Sequence, residues 1–327
     1  RSPWNPDHWS GGSSSGSAAA TAAGLVGFAI GSETSGSILT PASFCGLSAV
    51  RPTYGLVSRH GAMALCWTLD KLGPLCRTAD DCGLVLQAIA GPDPKDPTTE
   101  GRFAWSRPTA ARRFRIGVLK NATARAQPEV RDNFEKSLEA LRGFATLDAD
   151  VEFPDFPWGP AVGLIVDAEG GAAFRELIES GGTRRLRAQS DRYGGYVSLM
   201  TLAVDYLEAM RARVPMRAAL DALLGRYDAL VCPTRGAVAP PIGYDFDKPP
   251  VPVPRPPEGT PSAPPTIPAG NLAGVPAVCV PNGFGANGLP TSLQLIGRAF
   301  SEATLLAIAD RYQQATDWHT KRPKVAA

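Results

Sequence analysis

Two serine clusters set among glycines carry the strongest chemical signal in the chain: Gly11 to Ser17 (GGSSSGS) and Gly31 to Ser37 (GSETSGS), on either side of a small-residue apolar segment. A serine hydroxyl is a weak nucleophile at neutral pH until a neighbour takes its proton and N–H groups stabilise the charge developing on the substrate oxygen. Glycine permits the tight turns that aim several backbone N–H groups at one point. The pattern suits a nucleophile with a proton relay. It also suits two flexible Gly/Ser loops, and the two clusters by themselves leave both readings open.

The flanking sequence adds a long set of further motifs. They are GGSSSGSAAA (11–20), GSETSGSI (31–38), Pro41 to Gly46, RPTYGLVSR (51–59), LDKLGPLCRTADD (69–81), AGPDPKDPT (90–98) and the closing stretch 269–323. Together they resemble the amidase signature family of amide hydrolases, strongly over 1–98 and 229–323 and weakly over 99–228. The resemblance implies one α/β domain over 1–327 with a large central mixed β-sheet covered by helices. It implies hydrolysis of a carboxylic amide to an acid and ammonia or an amine, through an acyl-enzyme and without a cofactor. By the same resemblance Ser37 is the nucleophile, Ser13 the bridging serine behind a cis Gly12–Ser13 bond, and Ser14 a supporting hydroxyl. The N–H groups of Thr34, Ser35, Gly36 and Ser37 match the oxyanion hole.

The family's third catalytic member is a lysine well upstream of the first serine motif, and nothing here matches it. Lys95, in the Lys95-Asp96 pair between Pro94 and Pro97, reads as a surface lysine rather than that base. The expectation is therefore an N-terminally incomplete domain, the C-terminal part of a longer protein and inactive or impaired alone. Ser35 stands where the family has glycine, and Leu39 where it often has a basic residue. Two rival functions go with the same residues: the glutaminase subunit of a tRNA-dependent amidotransferase, and an inactive fragment or pseudoenzyme. Ala62 to Trp67 (AMALCW) is a candidate acyl-pocket wall or ordinary core, and an apolar acyl group is preferred.

Other chemistries fit less well. The three histidines, His8, His60 and His319, lie near the start, in a polar turn and in the charged tail, so a Ser-His-Asp triad is not indicated. No HExxH, Cys-x-x-Cys or His/Asp cluster points to a metal, and Gly11, Gly12 and Gly16 do not form a phosphate loop. A formal charge of +2 gives no reason to expect nucleic acid or an anionic membrane as partner. Arg184, Arg185 and Arg187 read as a solvated helix face. The expected partner is a small amide, with a homodimer also compatible. The run Ala18 to Ile30 is short of the roughly 20 residues that span a bilayer. Six cysteines without paired spacing read as buried thiols in a reducing compartment, hence a cytoplasmic protein.

The elements that must hold these loops are legible in part. Residues 15–29 suit a closely packed helix ended by the Gly31 turn, and Thr78 caps a helix running to Ala90 with Gly91 stopping it. Phe114 to Leu119 alternates as a strand. Pro128 opens a helix with Val130, Phe134, Leu138 and Leu141 on one face. Ala229 to Cys232, Ala277 to Val280 and Ser292 to Ile296 read as strands, and Glu302 to Ala315 as an amphipathic helix. The prolines of Pro240 to Pro268 predict an extended surface loop.

Overall fold

Successive residues of the central strands enter two different cores. In β6 (Ala229–Pro233), Ala229 and Val231 join one apolar cluster while Leu230 and Cys232 join the other. In β7 (Ala277–Phe284), Val278 and Val280 divide from Ala277 and Cys279 in the same way. A strand buried on both faces needs a continuous apolar run, which is what these sequences carry. A computed structural model describes residues 1–107, 112–186, 189–243 and 261–324.

The sheet is completed by β1 (Ala29–Glu33), β2 (Ser48–Arg51), β3 (Lys71–Cys76), β4 (Phe114–Leu119), β5 (Ala145–Val151) and β8 (Pro290–Ile296). Its eight strands run in the order β1-β3-β2-β7-β8-β6-β4-β5, parallel where β4 meets β5 and β6 and antiparallel elsewhere. One face is covered by α3 (Ala79–Ile89), α4 (Pro128–Arg142) and α10 (Glu302–Ala315). The other carries α1 (Ser15–Ala23), α2 (Leu39–Cys45), α5 (Trp158–Ala173), α8 (Ala203–Leu224) and α9 (Thr266–Ala273). Two further helices, α6 (Arg175–Glu179) and α7 (Gln189–Ser198), lie between α5 and α8 in the chain. This is the helix-covered mixed sheet that the sequence implies.

The predicted elements at 114–119 and 302–315 form with those bounds, the helix opened by Pro128 runs to Arg142, and Thr78 Oγ1 accepts from Asp81 N to cap α3. Two expectations need correction. The first helix stops at Ala23, because Gly24 takes a left-handed conformation (φ 80°) and its N–H turns back to the Ala20 and Thr21 carbonyls. Gly31 is then a strand residue rather than a turn, and Leu25, Val26 and Phe28 are exposed instead of packed. The proline-rich segment also ends sooner than expected. Thr266 to Pro268 form the first turn of α9, where a proline lacks no hydrogen-bonded N–H. Most of that segment, 244–260, and Arg187 lie outside the described residues; Arg184 and Arg185 are exposed.

Candidate active site

Each serine loop is shaped by a position where a side chain would not fit. Gly11 has φ +83°, and a Cβ there would lie 2.6 Å from Pro41 Cα, so the first loop sits directly on α2. Gly36, at φ +96°, faces Ile267, with a would-be Cβ 3.1 Å from Ile267 Cγ2. The two loops are stitched to one another. Ser14 N donates to the Ser37 carbonyl (3.2 Å), Ser14 Oγ donates to the Ser32 carbonyl (3.1 Å), and Ser32 N donates back to Ser14 Oγ (3.1 Å). Ser17 Oγ adds a bond to the Ile30 carbonyl (2.9 Å). The Gly12–Ser13 peptide is cis. Ser13 and Ser35 are exposed, Ser14, Thr34 and Ser37 half-buried, and Gly36 buried.

Beneath Ser37 lies a buried carboxylate. Glu33, the last residue of β1, accepts from Ile38 N (2.9 Å) and Leu39 N (3.0 Å) through Oε2, and from Asn271 Nδ2 (2.8 Å) through Oε1. Arg51 Nη1 stands 3.4 Å from the same Oε1, and both side chains are fully buried. The carboxylate therefore holds the backbone just after Ser37 and helps start α2, whose first N–H groups lack helical partners. Burial pushes the Glu33 pKa up, but Arg51, Asn271 and the two N–H groups outweigh it and leave it below the usual carboxylate value. Lys71 is paired with Glu33 in the antiparallel register and is also buried. Burial first, then the Arg51 charge, pulls the Lys71 pKa down to about 7.

The remaining walls come from the stretch after β2. Asp70 accepts from Thr34 Oγ1 (2.5 Å) and from Leu65 N and Cys66 N (2.8 Å each), tying the Ser37 loop to the segment 62–67. Glu169 of α5 is also buried and accepts from Thr68 Oγ1 (2.7 Å), Tyr206 OH (2.9 Å) and Cys66 Sγ (3.1 Å). Burial and Glu169 push the Tyr206 pKa up to about 12. Arg213 Nη2 donates to the Thr68 carbonyl (3.1 Å). On this pinned base Met63, Leu65 and Trp67 project into a cleft that also contains Ser13, Thr34, Lys95 and His60. The AMALCW segment is thus a cleft wall, except Cys66, which is buried.

Sequence reasoning finds the two serine loops and this wall, and misses Glu33, Arg51, Lys71, Asn271 and Glu169. A usable signal is present for Arg51 alone, a charge directly after the run LSAV, where burial demands a partner; Glu33 and Lys71 have polar neighbours (SETS, LDKL). Of the histidines, His60 stands exposed at the cleft, bonded through its backbone N to Ser58 Oγ (3.2 Å). Lys95 is likewise exposed on the rim. All six cysteines are free and buried. Among the described residues no cluster of three or more His, Cys, Asp or Glu could hold a metal, and no helix is long and apolar enough to cross a membrane.

The profile described as Amidase matches residues 1–306. The chain belongs to the amidase family. Among its relatives is a glutamyl-tRNA(Gln) amidotransferase subunit of Roseiflexus sp. (strain RS-1), 38% identical over 99% of this chain and 70% of that protein. The protein of the same name from Neisseria gonorrhoeae (strain NCCP11945) is 34% identical over 99% and 71%. Among solved structures, the corresponding glutamyl-tRNA(Gln) amidotransferase subunit from Thermotoga maritima superposes with a TM-score of 0.80 at 31% identity, covering 100% of this chain and 72% of that one. The peptide amidase from Stenotrophomonas maltophilia gives 0.81 at 30% identity, covering 100% and 70%. These amidase-family relatives place the chain among enzymes acting on amide C–N bonds, in a family whose general feature is a Ser-Ser-Lys triad.

They also overturn one expectation. The small net charge argues against nucleic acid as a partner, yet the relatives at 34–38% identity are named as subunits of an enzyme acting on glutamyl-tRNA(Gln). Formal charge sums one chain's whole surface. It does not report on a site elsewhere in the same assembly, so the exclusion does not stand.

Proposed function

We propose that this amidase-family chain is the amide-hydrolysing subunit of a tRNA-dependent amidotransferase, releasing ammonia from glutamine for use by a partner subunit. The observation that carries the chemistry is the stitching of the two serine loops through Ser14 N and the Ser37 carbonyl, above the Glu33 carboxylate. Relatives named as glutamyl-tRNA(Gln) amidotransferase subunits, aligned over 99% of the chain, support the assignment to that assembly. In the reaction Ser37 Oγ attacks the amide carbon while its proton passes by way of Ser13 to the leaving nitrogen. The N–H groups of Thr34 to Ser37 receive the oxyanion, ammonia departs, and water attacks the resulting ester, its proton passing by way of Ser13 to Ser37 Oγ as that oxygen leaves.

A second reading, a hydrolase of peptide amides, is supported by the 30% identity to a peptide amidase and by the apolar residues Met63, Leu65 and Trp67 at the cleft. Co-purification with a second subunit, followed by glutaminase assay against a panel containing glutamine and a peptide amide, separates the two. Ammonia release from glutamine, rising when the partner subunit is present, is the expected result. A lone chain that prefers the peptide amide replaces the first reading with the second.

A further inference from the structure

Arginines gather where three strands begin. β4 lies between β5 and β6 and runs parallel to both, so all three start at one rim of the sheet. Arg112 and Arg113 directly precede β4, Arg142 ends α4 just before β5, and Arg226 stands just before β6. Arg115 of β4 and Arg311 of α10 join them, the latter donating from Nη1 to the Arg112 carbonyl (2.8 Å). Three rings anchor four of these groups. Arg112 lies over Phe114 (5.3 Å to the ring centroid), Arg311 over Phe144 (4.9 Å), and Arg115 and Arg226 over Tyr227 (5.2 and 5.5 Å). Carboxylates offset two of the six: Asp228 pairs with Arg112 and Asp148 with Arg115. Arg113, Arg142, Arg226 and Arg311 make no ion pair among the described residues. The first three are exposed and Arg311 is half-buried. With 33 basic and 31 acidic residues in the whole chain, four unpaired cations at one rim are a local excess that the net charge of +2 conceals. Gathered like charges repel, and a polyanion lying across them relieves the repulsion while releasing its own counterions. Three strand starts about 4.8 Å apart set out a row roughly 10 Å long, which suits successive phosphates of a polymer better than one small anion. Each guanidinium fork takes phosphate oxygens in pairs.

We propose that the rim carrying Arg113, Arg142, Arg226 and Arg311 is a surface on which this chain holds an RNA backbone. The unpaired charge is a property of the fold alone; the choice of RNA over an acidic protein rests on the tRNA-dependent reading of the function. The rim lies toward the β5 edge of the sheet, whereas Glu33 and the Ser37 loop lie at the β1 edge. RNA contact and amide hydrolysis therefore use separate parts of the molecule.

The test measures binding of unfractionated tRNA to the full chain by fluorescence anisotropy over a salt series. The informative variant is Arg142→Glu with Arg226→Glu, two exposed side chains that make no hydrogen bond within the fold, so its melting curve should match the wild type. It should weaken tRNA binding about tenfold or more and flatten the slope of log affinity against log salt by about one for each arginine lost. Arg142→Lys with Arg226→Lys should keep affinity within about threefold, since a phosphate contact needs the charge first. The control is Arg184→Glu with Arg185→Glu, the same change of charge on exposed arginines of the turn between α6 and α7, and it should stay within about threefold of the wild type. No tRNA binding by the wild-type chain, or equal losses in the two Glu pairs, overturns the proposal. Tighter binding of polyglutamate than of tRNA also overturns it and assigns the rim to an acidic protein. Glutamine hydrolysis is followed on the same proteins and should be unchanged in every variant. Its absence from the wild type counts against the proposed function, whereas RNA binding at the rim is read without it.

Discussion

The serine loops and the helices α5 to α8 are built in opposite ways. Around Ser37 the chain is fixed by backbone hydrogen bonds and a fully buried ion pair, and α2 beside it is buried along its whole length. Across residues 158–224 the helices and the turns between them leave large apolar side chains in solvent: Val197 is 71% exposed, Met200 77% and Val214 70%. That region reaches the site through a few clamps, chiefly Glu169 and Arg213 on the segment 66–68. Reaction chemistry requires groups held within fractions of an ångström, while choice of substrate tolerates variable walls. The contrast indicates that substitutions near Glu33 act on folding and reactivity together, and those in 158–224 on substrate preference or partner contact.

Predictions that break or sharpen this contrast run from large to small. Replacing Ser37 with Ala should lower turnover by roughly 10⁴-fold or more, and Ser13→Ala by about 10²–10⁴-fold, both with unchanged thermal unfolding, since each removes a hydroxyl and no packing. Assaying amide hydrolysis alongside a melting curve checks both. Next comes Arg51→Met, which strands Glu33 in the core. It should cost about 3–5 kcal/mol in denaturant unfolding and weaken reactivity of Ser37 as well. A stable Arg51→Met protein would mean that the loop does not depend on the buried pair.

Lys71 makes a smaller, pH-dependent contribution. Its folded pKa, near 7, lies below the value of an unfolded lysine, so between about pH 7 and 10 the unfolded chain binds a proton that the folded chain does not. Stability from this group therefore rises with pH across that window, and its cost is fully present below pH 7. The charges facing Lys71 are Arg51, Glu33, Arg213 and Asp70. Lys71→Met should raise the melting temperature most at neutral pH, with the gain shrinking toward pH 10. A gain that grows with pH would contradict the buried-neutral description. Smallest of all is Met63→Ala at the 84%-exposed cleft wall: stability should stay within about 0.5 kcal/mol, while relative kcat/KM among acyl groups shifts.

The sequence is most readable where function constrains the backbone. Glycine and serine spacing locates both loops, and a proline at N1 with an apolar stripe locates α4. It is least readable where tertiary context overrides local rules. Pro74 sits inside β3, between β1 and β2, and Pro215 lies inside the 22-residue α8, so a reading that treats proline as a breaker loses both elements. Segment 24–28 looks like buried helix because it is apolar, yet Gly24 ends α1 and leaves Leu25 78% exposed. Glu33 and Arg51 lie 18 residues apart in the chain, and their partnership exists only once β1, β3 and β2 are assembled.

The central claim is that Ser37, held above Glu33, is the attacking group. Treating the native protein with a fluorophosphonate probe and mapping the adduct by peptide mass spectrometry tests it directly. The account predicts one covalent adduct on Ser37, lost in Ser37→Ala and slowed in Ser13→Ala. An adduct on another residue, or labelling that persists in Ser37→Ala, would contradict it.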